Sequence, residues 1–262
     1  MRSKKTYIIL LIMLAIFALL MYFFIARKNI KEEKILSTII VGNSSVFNYS
    51  GKRWVNVKSR STIEKINWEF FKVYEDNKYL GEYKGWFDRT RWYYFDNKNN
   101  SINPTGKIFA YKSNSEITID DYQEKEIDSS DKKYIDYVLE ENELSTSSKF
   151  TSSYKVEIDF DRDNIIETFY VISNVFPTEF EPDIIFSIVF MVKDNNVYYL
   201  YKDIDDNKVN NGCKPYFNYF FDLNTDGVDE LVLSCGKYSD NGIVDMLYKF
   251  ENNEFKIKIS NQ

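Results

Sequence analysis

Oxygen-bearing side chains recur at alternate positions in one nine-residue stretch, Asp222-Leu223-Asn224-Thr225-Asp226-Gly227-Val228-Asp229-Glu230. Asp222, Asn224, Asp226 and Glu230 stand at positions one, three, five and nine, with Gly227 at six. In a tight loop such alternation turns the oxygens toward one centre, and glycine tolerates the positive φ of the sharp turn. The carbonyl of Val228 can add a ligand and Glu230 can close the shell. Six to eight oxygens with several carboxylates suit Ca²⁺, whereas Mg²⁺ takes fewer protein ligands in stricter octahedral geometry. The pattern also occurs 63 residues earlier, where Asp159, Asp161, Asp163 and Glu167 hold the oxygen positions and Ile165 offers the carbonyl. Asn164 replaces the glycine there, and Asn is the next most tolerant of left-handed backbone. Position twelve is Leu233 in one copy and Tyr170 in the other. An EF-hand needs Glu there and helices on both flanks, so neither loop is one. Asp, Asn and Gly are also ordinary hairpin residues, and a plain polar turn without an ion is the alternative for both.

The chain has 262 residues and no histidine. Ser-His-Asp and Cys-His nucleophile systems are therefore excluded, as is any His-ligated metal. Two cysteines alone cannot build a zinc site. Paired carboxylates could serve a glycosidase, but among 40 acidic residues no pair stands out. Cys213 and Cys235 flank the second acidic loop. They can form a disulfide, if their Cα atoms come within about 4.4–6.8 Å, or remain two packed thiols.

These residues need elements to position them. Tyr7–Ala26 is a run of 20 residues without a charge, long enough to cross a hydrocarbon core. It is longer than a signal-peptide apolar region, and Phe24-Ile25-Ala26 is a poor cleavage site, which predicts an uncleaved anchor. Basic residues balance on its two sides, so the positive-inside rule does not decide orientation. A short tail 1–6 is easier to leave in the cytoplasm, which puts the C-terminal body outside. Residues 1–31 hold six Lys/Arg and no Asp/Glu, leaving 28 basic and 40 acidic residues in 32–262, a net charge of −12. Such a body repels nucleic acid and suits hard cations.

Residues 27–45 read as a juxtamembrane stalk. An aromatic-rich β subdomain follows over 46–125, with a hairpin turning at Asp76-Asn77-Lys78 and all four tryptophans, Trp54, Trp68, Trp86 and Trp92. Its aromatics are either sheet filling or a platform for sugar or peptide. The apolar spacing of Tyr134, Ile135, Val138 and Leu139 predicts a connecting helix over 129–144, capped by Ser129 or Ser130. From 150 to 262 the chain repeats a four-stranded unit, strand, acidic loop, strand and hairpin, twice over. The expected fold is mainly β: a transmembrane helix, antiparallel meander sheets including two blade-like repeats, and one connecting helix.

The segment DLNTDGVDELVL (222–233) resembles the calcium loops of FG-GAP (integrin-α-like, VCBS-type) repeats. The resemblance covers the two copies in 150–262. It implies extracellular β-propeller blades with structural Ca²⁺ held by Asp222, Asn224, Asp226, the Val228 carbonyl and Glu230. The counterparts are Asp159, Asp161, Asp163, the Ile165 carbonyl and Glu167. Two copies alone cannot close a propeller, and clear FG or GAP dipeptides are absent. The resulting expectation is a single-pass, exofacial, Ca²⁺-stabilised binding module at the cell membrane. Its partners would be the bilayer through 7–26 and a cell-surface protein or polysaccharide. The rival readings are a carboxylate-based hydrolase of the cell envelope and a carbohydrate-binding protein.

Overall fold

The computed structural model describes residues 35–262 apart from 43–44, 58–59, 89, 114, 176–183, 206–211, 238–241 and 261–262, and of residues 1–34 only Ile16. The tail 1–6 and the anchor expected at 7–26 thus lie outside the described residues. Among those described, no helix is long and apolar enough to cross a membrane.

Eighteen strands and two helices are described, and every strand pairing is antiparallel. The first sheet runs in the order β3-β2-β1-β8-β4-β5-β6-β7. It contains β1 (Ser37–Val41), β2 (Ser45–Tyr49), β3 (Trp54–Asn56), β4 (Phe70–Glu75), β5 (Lys78–Phe87), β6 (Trp92–Phe95), β7 (Ser101–Ile102) and β8 (Ile108–Ser113). The second sheet is β9 (Thr118–Asp120) followed by the meander β15 (Cys213–Asp222), β16 (Glu230–Lys237), β17 (Ile243–Glu251) and β18 (Glu254–Ser260). The third is β10 (Glu124–Lys125) followed by β11 (Ser152–Ile158), β12 (Glu167–Ser173), β13 (Ile185–Lys193) and β14 (Asn196–Asp205). The repeat read from the sequence is therefore two meanders of the same plan, each extended at one edge by a short strand. Tyr154 and Phe217, equivalent under the 63-residue offset, touch: the Phe217 N–H donates to the Tyr154 hydroxyl at 3.2 Å.

Alternating side chains decide how the sheets stack, because successive residues of a strand face opposite sides. One face of the first sheet, with Ile40, Phe71, Val73 and Trp92, packs on α1 (Arg60–Ile66) through Ile63. Its other face, with Ile39, Val41, Phe47 and Phe109, meets Tyr219, Phe221 and Val232 of the second sheet. The second sheet's far side packs against the third sheet through Phe217, Phe220, Leu231, Phe169, Val171 and Met191. The third sheet's outer face, with Tyr170, Ile172 and Phe190, is covered by Ile135, Val138 and Leu139 of α2 (Lys132–Glu141). The layers run α1, first sheet, second sheet, third sheet, α2. The meanders are stacked in line with a helix at each end, so they do not close into the ring that propeller blades would form.

Three boundaries differ from the sequence expectation. Ser37–Val41, placed in the stalk 27–45, is a central strand of the first sheet with all five residues buried. Its run of β-branched residues faces packed neighbours on both sides and so shows no polar alternation. The β subdomain expected at 46–125 gives up its last strands, since β9 pairs with β15 and β10 with β11. Residues from Ile35 onward form one compact unit rather than separate subdomains. The expected helix is present, but Asp131 rather than Ser129 or Ser130 occupies its N-cap, and it makes no side-chain cap bond. Its carboxylate turns inward instead, accepting from the Tyr170 hydroxyl at 2.7 Å and pairing with the buried Lys155 at 2.9 Å. Cys213 and Cys235 form a disulfide between β15 and β16, with Cα atoms 5.4 Å apart.

Candidate metal centre

Each acidic loop links the first two strands of a meander. Loop one joins β11 to β12, and loop two joins β15 to β16. The two share four backbone-to-carboxylate bonds. The position-one carboxylate accepts the amides of positions five and six: Asp159 those of Asp163 (3.1 Å) and Asn164 (3.0 Å), Asp222 those of Asp226 (3.1 Å) and Gly227 (3.0 Å). The position-five carboxylate accepts the amide of position seven, Ile165 to Asp163 at 2.8 Å and Val228 to Asp226 at 3.1 Å. The closing glutamate accepts the amide of position two, Phe160 to Glu167 at 3.3 Å and Leu223 to Glu230 at 3.0 Å. Left-handed backbone falls at position four (Arg162, φ 55°; Thr225, φ 57°) and at position six (Asn164, φ 66°; Gly227, φ 86°). Asn164 thus does the conformational work of Gly227.

In loop one, single oxygens of Asp159, Asp161 and Glu167 lie within 4.8 Å of one another, the one such acidic group among the described residues. One oxygen of Asp161, Oδ1, is buried without a hydrogen-bond partner. Asp163 joins the group through a lysine: Lys193 Nζ reaches Asp161 at 2.7 Å, Asp163 at 2.9 Å and Glu167 at 2.8 Å. Burial alone would lower the Lys193 pKa, but these three carboxylates outweigh it and raise it. Burial raises the Glu167 carboxyl despite Lys193. An all-oxygen set of three carboxylates with an orphaned oxygen is chemistry that fits a hard divalent cation. Ile165 contributes its amide to Asp163, and its side chain is exposed.

Loop two is neutralised differently. Lys249 Nζ lies 2.5 Å from Asp226 and 3.4 Å from Glu230. Arg162, from loop one, crosses to Asp222 (3.4 Å), Asp229 (2.8 Å) and Asp120 on β9 (3.0 Å). The Asp229 amide also donates to the Phe160 carbonyl at 2.8 Å, so the loops interlock. Burial, reinforced by Asp120, pushes the Asp229 carboxyl up to about 9, and burial brings Glu230 up to about 7. Asn224 is tied to Asp226 on both sides of its amide, and the Val228 side chain packs on the core between the sheets. The structure therefore gathers Asp159, Asp161 and Glu167, with Asp163 tied to Asp161 and Glu167 through Lys193, while two cations hold Asp222, Asp226 and Glu230.

The chain matches no family model, no curated protein and no solved structure.

The residues of the candidate site that the sequence does not reveal are the cations. Lys193 and Lys249 come from the third strand of each meander. Glu230 pairs directly with Lys249, and Thr168 with Val192, which sets Glu167 beside Lys193. The constant offset of 63 lays Lys193 over Lys256 instead, one strand away on β18. Only the register reveals the equivalence. The aromatic stretch also resolves. Trp92 is core, whereas Trp68 is 53% exposed and lies near-parallel to Trp86, with ring centroids 6.2 Å apart and planes at 24°. Phe95 and Tyr93 flank them.

Proposed function

We propose that this chain is a single-pass membrane protein whose β body lies outside the membrane and acts as an interaction module. Loop one takes Ca²⁺ as a structural ion. The observation that carries the ion assignment is the convergence of Asp159, Asp161 and Glu167 around a buried, unpartnered oxygen of Asp161. Loop two, already held by Lys249 and Arg162, is assigned no ion. The disulfide supports the exofacial placement, because such bonds persist in oxidising compartments. The apolar run 7–26 supports the anchor. Ca²⁺ performs no chemistry in this reading; it relieves carboxylate repulsion and fixes the loop. Asp229, Glu230 and Asp245 are buried, so these three carboxyl groups are not presented to a substrate in solvent.

The test is thermal unfolding of the full chain in detergent, in EDTA and across a CaCl₂ titration. An ion at 100 times its dissociation constant adds about 2.7 kcal/mol. The Ca²⁺-dependent rise should disappear in Asp159→Ala and survive in Asp222→Ala. A rise unaffected by Asp159→Ala would move the ion elsewhere.

A second reading rests on the Trp68–Trp86 pair. Trp68 holds a left-handed backbone (φ 67°), and its amide donates to the Gly85 carbonyl at 2.6 Å. A bulky side chain in that region costs about 1–2 kcal/mol, here for an indole left facing solvent. Such a face suits stacking on a sugar ring. Retention on insoluble polysaccharide, lost in Trp68→Ala, would favour it.

A further inference from the structure

The first sheet has eight strands and the second has five, so the larger overhangs the smaller. On the face where the two meet, none of the packed residues comes from β5, β6 or β7. Phe70 is in step along β4 with Tyr74, which does pack there. The register carries that face outward: Phe70 lies opposite Lys84, Lys84 opposite Phe95, and Trp86 opposite Tyr93. The alternate residues Phe71, Trp92 and Tyr94 turn the other way, into the core with Ile63 of α1. The overhang therefore leaves a row of rings in contact with one another and with water. Tyr93 and Trp86 have centroids 5.6 Å apart, and Trp68 lies 5.6 Å from Phe95. Phe70 is 44% exposed beside them. Exposed apolar surface rimmed by charge marks an interaction site. The left-handed backbone of Trp68 points the same way, since such strain gathers at binding sites.

The rim is cationic. The Arg91 guanidinium lies 4.6 Å from the Tyr93 ring centroid, and its Nε donates to the Tyr93 hydroxyl at 2.7 Å. The Lys84 ammonium lies 5.5 Å from the Phe70 centroid. Among the described residues, neither cation is paired with a carboxylate. Asp88 is turned onto the amides of Thr90 and Arg91, and Glu69 is held by Lys112 at 2.6 Å. We propose that this face binds an acidic polysaccharide, its rings stacking on the sugars while Arg91 and Lys84 take the carboxylates of uronic-acid units. The inference rests on the sugar-stacking reading and adds the charge of the ligand to it. A guanidinium matches a carboxylate with two parallel donors, and a neutral glycan would leave both cations unused. Residues 32–262 carry a net charge of −12, which repels an acidic polymer elsewhere and confines it to this rim.

The experiment is calorimetric titration of the full chain, in a polyoxyethylene detergent that offers no sugar and in EDTA, with polygalacturonate and with neutral galactan. Wild type should bind polygalacturonate at least tenfold more tightly than galactan, and the preference should shrink as NaCl rises. The double variant Lys84→Gln, Arg91→Gln should melt with wild type, keep its galactan affinity and lose the preference. Trp68→Ala should weaken both polymers. Equal affinities of wild type for the two polymers would overturn the acidic ligand while leaving the stacking reading intact. If neither polymer binds, both fall. Polygalacturonate binding that survives Trp68→Ala would place the polymer elsewhere, and self-association in sedimentation that Trp68→Ala abolishes would give the face to a second copy; either overturns the proposal.

Discussion

A carboxyl group between two sheets is costly unless hydroxyls meet it. Asp245 on β17 is met by Ser45 of the first sheet and by Ser234 of β16, and Asn218 in turn donates to Ser234 at 2.6 Å. Burial raises its pKa above the ordinary aspartate value, with the two serines opposing. A folded-state pKa above the unfolded one contributes stability that is complete below the unfolded value and is lost as pH rises through the folded value. Asp245→Asn removes that loss while keeping an oxygen for a hydroxyl. In urea unfolding, the variant should gain on wild type as pH rises above the ordinary aspartate pKa, and a constant difference would refute the assignment. At this scale the sequence is half informative. Alternating oxygens and a glycine mark both acidic loops, because their bonds are local. Lys193, Lys249 and Arg162 are invisible there, because what brings them in is strand register and the packing of one sheet on another.

The hairpins show how far local chemistry reaches. Asp76-Asn77, Asp194-Asn195 and Asn252-Asn253 each turn with both central residues at positive φ, the two-residue geometry that matches strand twist. Asn and Asp tolerate this backbone and β-branched residues do not. Asn253→Val should therefore cost about 1–2 kcal/mol, and Asn253→Gly close to nothing, measured by chemical denaturation. These turns are plain in the sequence. Strand β1 is not. Ser-Thr-Ile-Ile-Val is too short for a period to show, and burial on both faces removes the alternation by which a half-buried strand is recognised. It follows the basic residues after the apolar run, which makes it read as stalk. β9 and β10 are shorter still, and their partners are fixed only by the meanders they extend.

For the molecule as a whole, the repeat was legible and the stacking was not. A 63-residue offset gives two meanders, but which face of each meets which neighbour depends on apolar residues present on both sides of every sheet. The disulfide closes a 22-residue separation around loop two. Its removal in the double variant Cys213→Ala, Cys235→Ala should lower stability by about 3 kcal/mol, seen as an earlier midpoint in guanidinium and absent when wild type is compared under reducing conditions. One further consequence lies in the short passage from β9 to β10, which hands one strand to each meander. β10 finds β11 about thirty residues away, whereas β9 must wait for β15, about a hundred residues on. Closing the longer span is the slower event. During synthesis the third sheet can therefore complete its edge while the second still lacks its first full strand. Pulse-labelled amide exchange should find β10 protected before β9, making this passage a clock that orders the assembly of two otherwise equivalent halves.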